Sequence, residues 1–378
     1  MKVLITGANG FVGKNLVAYL KERKDIEIFR FCREDDPQDL NALAAQVDFV
    51  FHLAGVNRPQ NQEEFNTGNT DLTRLIAEAI SHSGRKIPLI YTSSTQAEQE
   101  NAYGVSKRGA EEVLRRLSVD NGSPVNLFRL PNVFGKWARP NYNSVVATFC
   151  HNIARGIPVQ INDPLAPLTL VYIDDVIEKF IAVMDGLVTG TPFVKIEPQY
   201  QTTVGELSEK LYAFRESRQS LITEPVGKGL TRALYSSYLS YLPPEDFTYE
   251  VPKYGDSRGV FVEMLKTPDA GQFSYFTAHP GITRGGHYHH SKTEKFLVIR
   301  GEACFRFRHI VSGEFYELVT SGEKPVIVET VPGWTHDITN VGQDEMIVML
   351  WANEIFDREH PDTFALAVGT QADRTMDN

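Results

Sequence analysis

MKVLITGANGFVGKNL, residues 1–16, decides the fold of the first half of the chain. Lys2–Thr6 is an aliphatic, β-branched run that reads as a strand, and from Phe11 onward apolar residues recur at helical spacing. Between the two, Gly7, Gly10 and Gly13 let the backbone turn tightly and approach a pyrophosphate held at the helix N-terminus, where unpaired N–H groups favour an anion. Phe11 and Val12 open that helix and belong to the same cradle. The strand before and the helix after distinguish this loop from glycines that merely make a turn.

Outward from the loop the alternation continues. EIFRFC, DFVFHLAG, PLIYTSS and VNLFRLP read as strands, and VGKNLVAYLKER, NTDLTRLIAEAISHSG and SKRGAEEVLRRLSVDNG as helices, to about residue 185. That pattern predicts a parallel sheet with helices on both faces, an α/β Rossmann-type doubly wound domain. The end of the second strand selects the dinucleotide. Arg33 there favours the 2′-phosphate of NADPH, while Glu34 and Asp35 follow at once and serve the opposite preference.

Chemistry enters with YGVSK. Tyr103 and Lys107 stand one helical turn apart on one face, where the ammonium lowers the pKa of the phenol and holds the nicotinamide ribose. The preceding TSSTQ supplies Ser94, with Ser93 as fallback, to hydrogen-bond a carbonyl that Tyr103 protonates as hydride arrives. With TGANGFVG, HLAG, TSS, YGVSK, RLPNVFG and VYIDDV in this order, residues 1 to about 185 resemble an extended short-chain dehydrogenase/reductase of the nucleotide-sugar epimerase and dehydratase kind. The resemblance implies that Leu53, Ala54 and Gly55 line the cofactor. It also implies that Asn132 and Arg139, the latter in GKWARPNYNS, touch a nucleoside diphosphate sugar. Asp174-Asp175 reads as a helix cap rather than a catalytic pair. Only eight residues separate Ser94 from Tyr103, fewer than is usual in that superfamily.

Beyond Pro243-Pro244 the texture changes to short β-branched and aromatic runs broken by Gly, Pro and Asp, an all-β domain. Gly281, His287, His289, Glu294 and Gly301 fit the first cupin motif at every position, and Pro332, Gly333, His336 and Asn340 supply the second, with the proline one position nearer the glycine than in the usual PxG. Alternation along a strand aims His287 and His289 to one side, where Glu294 and His336 meet them as ligands for zinc or another divalent ion. RGGHYHH also resembles the RGLHYQ stretch of metal-free sugar 3,5-epimerases, in which reading His287 is a base and Arg284 grips substrate phosphate. Lys295, His287 and Tyr288 are the candidates for the group that takes a proton from the sugar. His290 falls on the opposite face, and His279, His309 and His360 show no partners in the sequence. The expected division is residues 1–245 for the reductase, 246–370 for an all-β cupin barrel of jelly-roll type, and 371–378 for a frayed tail.

The 378 residues suit two domains, and a formal charge of −10 without basic clusters excludes a general nucleic-acid binder. Cys32, Cys150 and Cys304 lie far apart, and no apolar run approaches the ~18 residues of a membrane span, so a cytoplasmic protein is expected. GVNRP, NVFGKW, PNYNSVVATFC, YLSYLP, DSRGVFVEMLKTPD, EKFLVIRGEACFRFRH and WANEIFD make the whole chain similar to the family of bifunctional capsule and O-antigen enzymes, a reductase fused to a cupin epimerase. The resemblance implies a homodimer that inverts C-3 of a UDP-activated keto-deoxy amino sugar, UDP-2-acetamido-2,6-dideoxy-β-L-arabino-4-hexulose. The C-4 ketone is then reduced with NADPH to the L-talose product. A fused epimerase and reductase for thymidine nucleotide sugars, and a non-catalytic NADP sensor, are the competing readings; an intact Ser94, Tyr103 and Lys107 set speaks against a sensor.

Overall fold

The structure, a computed structural model, describes residues 1–188, 193–256, 259–262, 264–265, 267, 271–354 and 359–371; the remaining part of the expected tail, 372–378, lies outside the described residues. The chain forms two compact units, Met1–Ser144 with Leu168–Thr202, and Val145–Pro167 with Thr203–Asn378.

In the first unit β1 (Lys2–Thr6), α1 (Phe11–Lys21), β2 (Glu27–Phe31), α2 (Asp39–Gln46) and β3 (Phe49–His52) follow one another. A short α3 (Glu63–Phe65) runs through a π turn at Asn66–Asp71 into α4 (Leu72–His82), and β4 (Leu89–Ser94), α5 (Ala102–Asn121), β5 (Val125–Leu130) and β6 (Asn132–Phe134) complete the run. Strands β1 to β5 form one parallel sheet in the order β2-β1-β3-β4-β5. One face packs Leu4, Val50, Leu89 and Tyr91 against Ile76 and Ile80 of α4 and Leu114 and Leu117 of α5. After α6 (Val145–Ala154), which belongs to the second unit, come β7 (Pro167–Tyr172) and α7 (Ile173–Met184). On the other face of the sheet, Phe180 of α7 lies 4.7 Å from Phe128 and 6.2 Å from Phe51 between ring centroids. Burial on both faces explains why these strands are continuous hydrophobic runs rather than alternating ones. β6, β7 and β8 (Tyr200–Thr203) make a separate three-stranded sheet.

The second unit holds α6 together with α8 (Val204–Ser220), started by a Thr203–Glu206 capping box, and α9 (Gly229–Leu239). The Pro243-Pro244 break leads through a 3₁₀ turn at Pro244–Phe247 into strands. These are β9 (Thr248–Glu250), β10 (Lys253–Asp256), β11 (Gly259–Val262), β12 (Gln272–Ala278), β13 (Thr283–Tyr288) and β14 (Glu294–Arg300). They continue as β15 (Glu302–His309), β16 (Phe315–Ser321), β17 (Val326–Glu329), β18 (Trp334–Asn340), β19 (Met346–Ala352) and β20 (Phe364–Ala365). Two five-stranded sheets result, β12-β19-β14-β17-β9 and β16-β15-β18-β13-β20, with antiparallel neighbours and a separate β10-β11 pair. Phe296 of one sheet meets Phe305 of the other at 5.8 Å, so the two inner faces close a cupin-type β core. Among the described residues no helix is long and apolar enough to cross a membrane.

Candidate active site and metal centre

The glycine loop is fixed by space as much as by turn geometry. Gly7 has φ +69°, and a Cβ there would stand 2.8 Å from the Ala54 Cα; one on Gly13 would stand 2.3 Å from the Gly7 carbonyl. Gly10 is the N-cap of α1 and supplies no side-chain cap, which leaves first-turn N–H groups for an anion. Phe11 and Val12 begin the helix. Leu53 and Ala54 give their N–H groups to Thr6, at 3.3 and 3.2 Å, and a Cβ on Gly55 would press on the Lys107 ammonium at 3.0 Å. The eight predicted cradle residues thus lie on the turns at the ends of neighbouring strands β1 and β3. Arg33 is exposed just past β2, whereas Asp35 is occupied by the Cys32 N–H at 2.6 Å.

Ser94, Tyr103 and Lys107 come together at the end of β4. A 3₁₀ turn at Thr95–Glu98 and the Asn101 cap, which accepts the Gly104 N–H at 2.8 Å, carry the chain from serine to tyrosine in so few residues. Gly104 permits it, because a Cβ there would lie 2.2 Å from the Gln96 carbonyl oxygen. The two serines differ in direction: Ser93 donates to Glu111 at 2.5 Å, while the Ser94 side chain lies toward the Tyr103 phenol.

The electrostatics correct one expectation. Burial raises the Tyr103 phenol above its ordinary pKa, and the neighbouring Ser94, not Lys107, opposes that rise. Lys107 itself is pulled down to about 8 by burial. Its Nζ donates to the Thr92 carbonyl at 2.9 Å and sits 4.9 Å from the Tyr91 ring centroid but 6.0 Å from that of Tyr103.

Asn132 is exposed at the start of β6, donating to the Thr169 carbonyl at 3.3 Å. Arg139 is exposed over Tyr142, 5.1 Å from its centroid, and Arg58, which sequence reasoning did not single out, lies 5.8 Å from the same ring. Asp174 sits in the first turn of α7 but does not cap it. It forms a buried ion pair with Lys136 at 2.5 Å, between residues too far apart in the chain for spacing to signal.

In the second unit the side-chain donors of His287, His289, Glu294 and His336 lie within 4.8 Å of one another. His287 and His336 pair across β13 and β18, and the irregular register between Gly285 and His287 is a bulge of the kind that re-aims a side chain. Glu294 approaches His289 at 3.2 Å and His336 at 3.6 Å. Burial pulls His287 down to about 3 and lowers His336, so both rings are neutral lone-pair donors near pH 7. Burial alone would raise Glu294, but the neighbouring His289 and His336 outweigh it and hold the carboxyl well below its usual range. Both ring nitrogens of His336 are buried with no hydrogen-bond partner. Three imidazoles, a carboxylate and the orphaned buried nitrogens of His336 fit a divalent cation of the zinc type.

Two of the three proposed proton-accepting groups face elsewhere. Lys295 is bound to Glu329 and, at 2.9 Å, to the Tyr249 hydroxyl, and Tyr288 packs on Phe364 at 5.6 Å; neither belongs to the cluster. His290 also lies outside it, 4.9 Å from Phe364 between ring centroids. Arg284 is exposed, donating to the Thr277 carbonyl at 3.2 Å and lying over Phe276. Sequence reasoning missed Lys292, whose ammonium lies 3.9 Å from Glu294 and 2.8 Å from the Thr363 hydroxyl, and Asp362, discussed below.

Comparison with known proteins agrees with both halves. Residues 3–194 match the NAD dependent epimerase/dehydratase family and residues 254–364 the polysaccharide biosynthesis C-terminal domain. UDP-2-acetamido-2,6-beta-L-arabino-hexul-4-ose reductase of Pseudomonas aeruginosa is 65% identical over 98% of this chain and 100% of its own. The crystal structure of the capsular polysaccharide assembling protein CapF from Staphylococcus aureus has TM-score 0.68 and 41% identity, over 97% of this chain and 100% of that one. CapF with the inhibitor 3-isopropenyl-tropolone has TM-score 0.62 and 38% identity with the same coverage. The chain therefore belongs to the NAD dependent epimerase/dehydratase family and, within it, to the two-part polysaccharide enzymes represented by CapF.

Proposed function

We propose that the chain is a bifunctional nucleotide-sugar enzyme of capsule or O-antigen synthesis, with a reductase in residues 1–245 and a cupin epimerase in residues 246–370. The substrate is UDP-2-acetamido-2,6-dideoxy-β-L-arabino-4-hexulose. Its C-4 ketone acidifies the neighbouring C-3 hydrogen, so inversion at C-3 in the cupin precedes reduction. Reduction first would leave an unactivated carbon. At the reductase site hydride passes from NADPH to C-4 and the Tyr103 hydroxyl gives its proton to the oxygen, yielding UDP-2-acetamido-2,6-dideoxy-β-L-talose and NADP⁺. Ser94 fixes the carbonyl, Lys107 holds the ribose and the charge developing on the phenol, and Arg139 with Asn132 grips the nucleotide sugar.

Two observations favour NADPH over NADH. Arg33 is free to meet a 2′-phosphate, and Asp35 is committed to its own turn. In the cupin, His287, His289, Glu294 and His336 would hold zinc or a similar ion, which when bound polarises the keto oxygen. The tropolone inhibitor of CapF carries adjacent carbonyl and hydroxyl oxygens, a pair that chelates such ions, and this supports the reading. A cytoplasmic homodimer completes the proposal, since both UDP-sugar and NADPH are cytoplasmic.

The observation that carries the reading is the convergence of Ser94, Tyr103 and Lys107 beside the glycine cradle in a chain 65% identical to a UDP-keto-sugar reductase along its full length. With this substrate, NADPH oxidation is expected in the native chain, and Tyr103→Phe is expected to lower it by about 10²–10⁴-fold. Without NADPH, the sugar is expected to take deuterium at C-3 from heavy water. Unchanged NADPH oxidation in Tyr103→Phe overturns the reductase assignment; no deuterium at C-3 overturns the epimerase.

A further inference from the structure

We infer that Asp362, more than 60 residues from the nearest other contributor to the first ligand segment, is the positioning residue that builds the metal centre. The inference rests on the metal reading of the His–Glu cluster. Its main-chain carbonyl accepts the Nδ1–H of His289 at 2.5 Å. That bond fixes the tautomer and leaves Nε2, the nitrogen 3.2 Å from Glu294, as the lone-pair donor. The carboxylate of the same residue gathers the turn between His289 and Glu294. Oδ1 accepts the N–H of His290 at 2.8 Å, and Oδ2 accepts those of Ser291 at 2.7 Å and Lys292 at 2.6 Å, with the Ser291 hydroxyl at 3.0 Å.

One residue therefore sets the ring orientation of one ligand and the chain path to the next. Burial would raise its carboxyl, but His289 and His290, and after them these amide bonds, hold it well below its ordinary range. The segment that carries it is itself tied down. β20 pairs with β13 opposite His287 and Tyr288, and Arg308 donates to the Val368 carbonyl at 2.6 Å and the Thr370 carbonyl at 2.5 Å. Thr363, the next residue, holds the Lys292 ammonium. The segment 362–370 thus acts as a strap that completes a ligand set supplied by β13, the turn after it, β14 and β18.

Asp362→Asn separates this role from simple filling of space. Asn keeps the volume and one acceptor, facing His290, but turns an NH₂ toward the Ser291 and Lys292 N–H groups, donor against donor. Full-length chain labelled with ¹⁵N-histidine, stripped of metal, is expected to show His289 as the Nδ1–H tautomer, and the Asn variant a mixture of tautomers. Titration with zinc against a competing chelator is expected to show about 10–100-fold weaker binding in the variant, with an unchanged circular dichroism spectrum. An Nε2–H tautomer in the native chain, or equal zinc affinity in a folded Asp362→Asn, overturns the inference. If the native chain binds no zinc the metal reading fails, and the tautomer measured on that same native chain, which needs neither the variant nor the metal, still decides the role of Asp362.

Discussion

Two lysines, Lys107 and Lys295, are 5% and 2% exposed, and they are driven in opposite directions. Lys107 has a carbonyl and an aromatic face in contact, and burial, opposed only in part by Glu111, pulls it down to about 8. For Lys295 the same burial is outweighed by Glu329, which with Tyr249 and Tyr235 holds it well above its ordinary value. Arg218 shares the same carboxylate. An ammonium met by a touching carboxylate is a pin between strands β14 and β17. One whose touching partners are neutral keeps its field for something that arrives, in the proposed reductase a cofactor ribose and a phenol losing its proton. The contrast separates the lysine proposed to work from the structural one better than burial does.

The largest effect that would break this contrast is at Glu329. Glu329→Gln leaves Lys295 and Arg218 buried without their shared anion, and a loss of about 3–5 kcal/mol of stability is expected. Denaturant titration followed by the fluorescence of Trp334 and Trp351 reads it; a loss under about 1 kcal/mol would mean that Lys295 is not pinned. Lys107→Met is expected to do the reverse. It removes a charge whose burial Glu111 offsets only in part, so stability should rise by about 1–3 kcal/mol while NADPH-dependent reduction falls by at least about 10²-fold. A variant both inactive and less stable would show that the Thr92 hydrogen bond matters more than the buried charge.

Why Lys107 was legible in the sequence and the fate of Lys295 was not comes down to range. Tyr103 and Lys107 share one helix, and the glycine cradle closes within thirteen residues, so local spacing already states the geometry. His287, His289 and Glu294 are likewise close in sequence, and the parallel and antiparallel sheets follow from the patterning of their strands. Alternation alone puts Lys295 on the face opposite Glu294, but not beside Glu329, which only the paired strands bring alongside it. Other features had no local signal at all. Lys136 with Asp174, Arg218 with Glu329, and Asp362 with residues 289–292 are joined only when the chain closes. The direction of the Tyr103 shift belongs here too, since it depends on how deeply the phenol is buried.

The finest test of the contrast is its pH dependence. Lys107 has a folded pKa of about 8, below the 10.5 of an unperturbed lysine. Between these values the unfolded chain holds the proton that the folded chain has released, so this residue makes stability rise with pH across that window. Below it the full cost of burying the charge applies; above it the cost is gone. Lys295, raised above 10.5, has the opposite sign: its contribution is complete throughout the window and is lost only at still higher pH. The stability advantage of Lys107→Met over the native chain should therefore shrink from pH 8 to pH 10, by at most about 1.4 kcal/mol per pH unit. Denaturation midpoints of the two chains measured side by side cancel every other titrating group. A gap that stays constant would mean that methionine wins by packing and that the native ammonium was never under electrostatic strain.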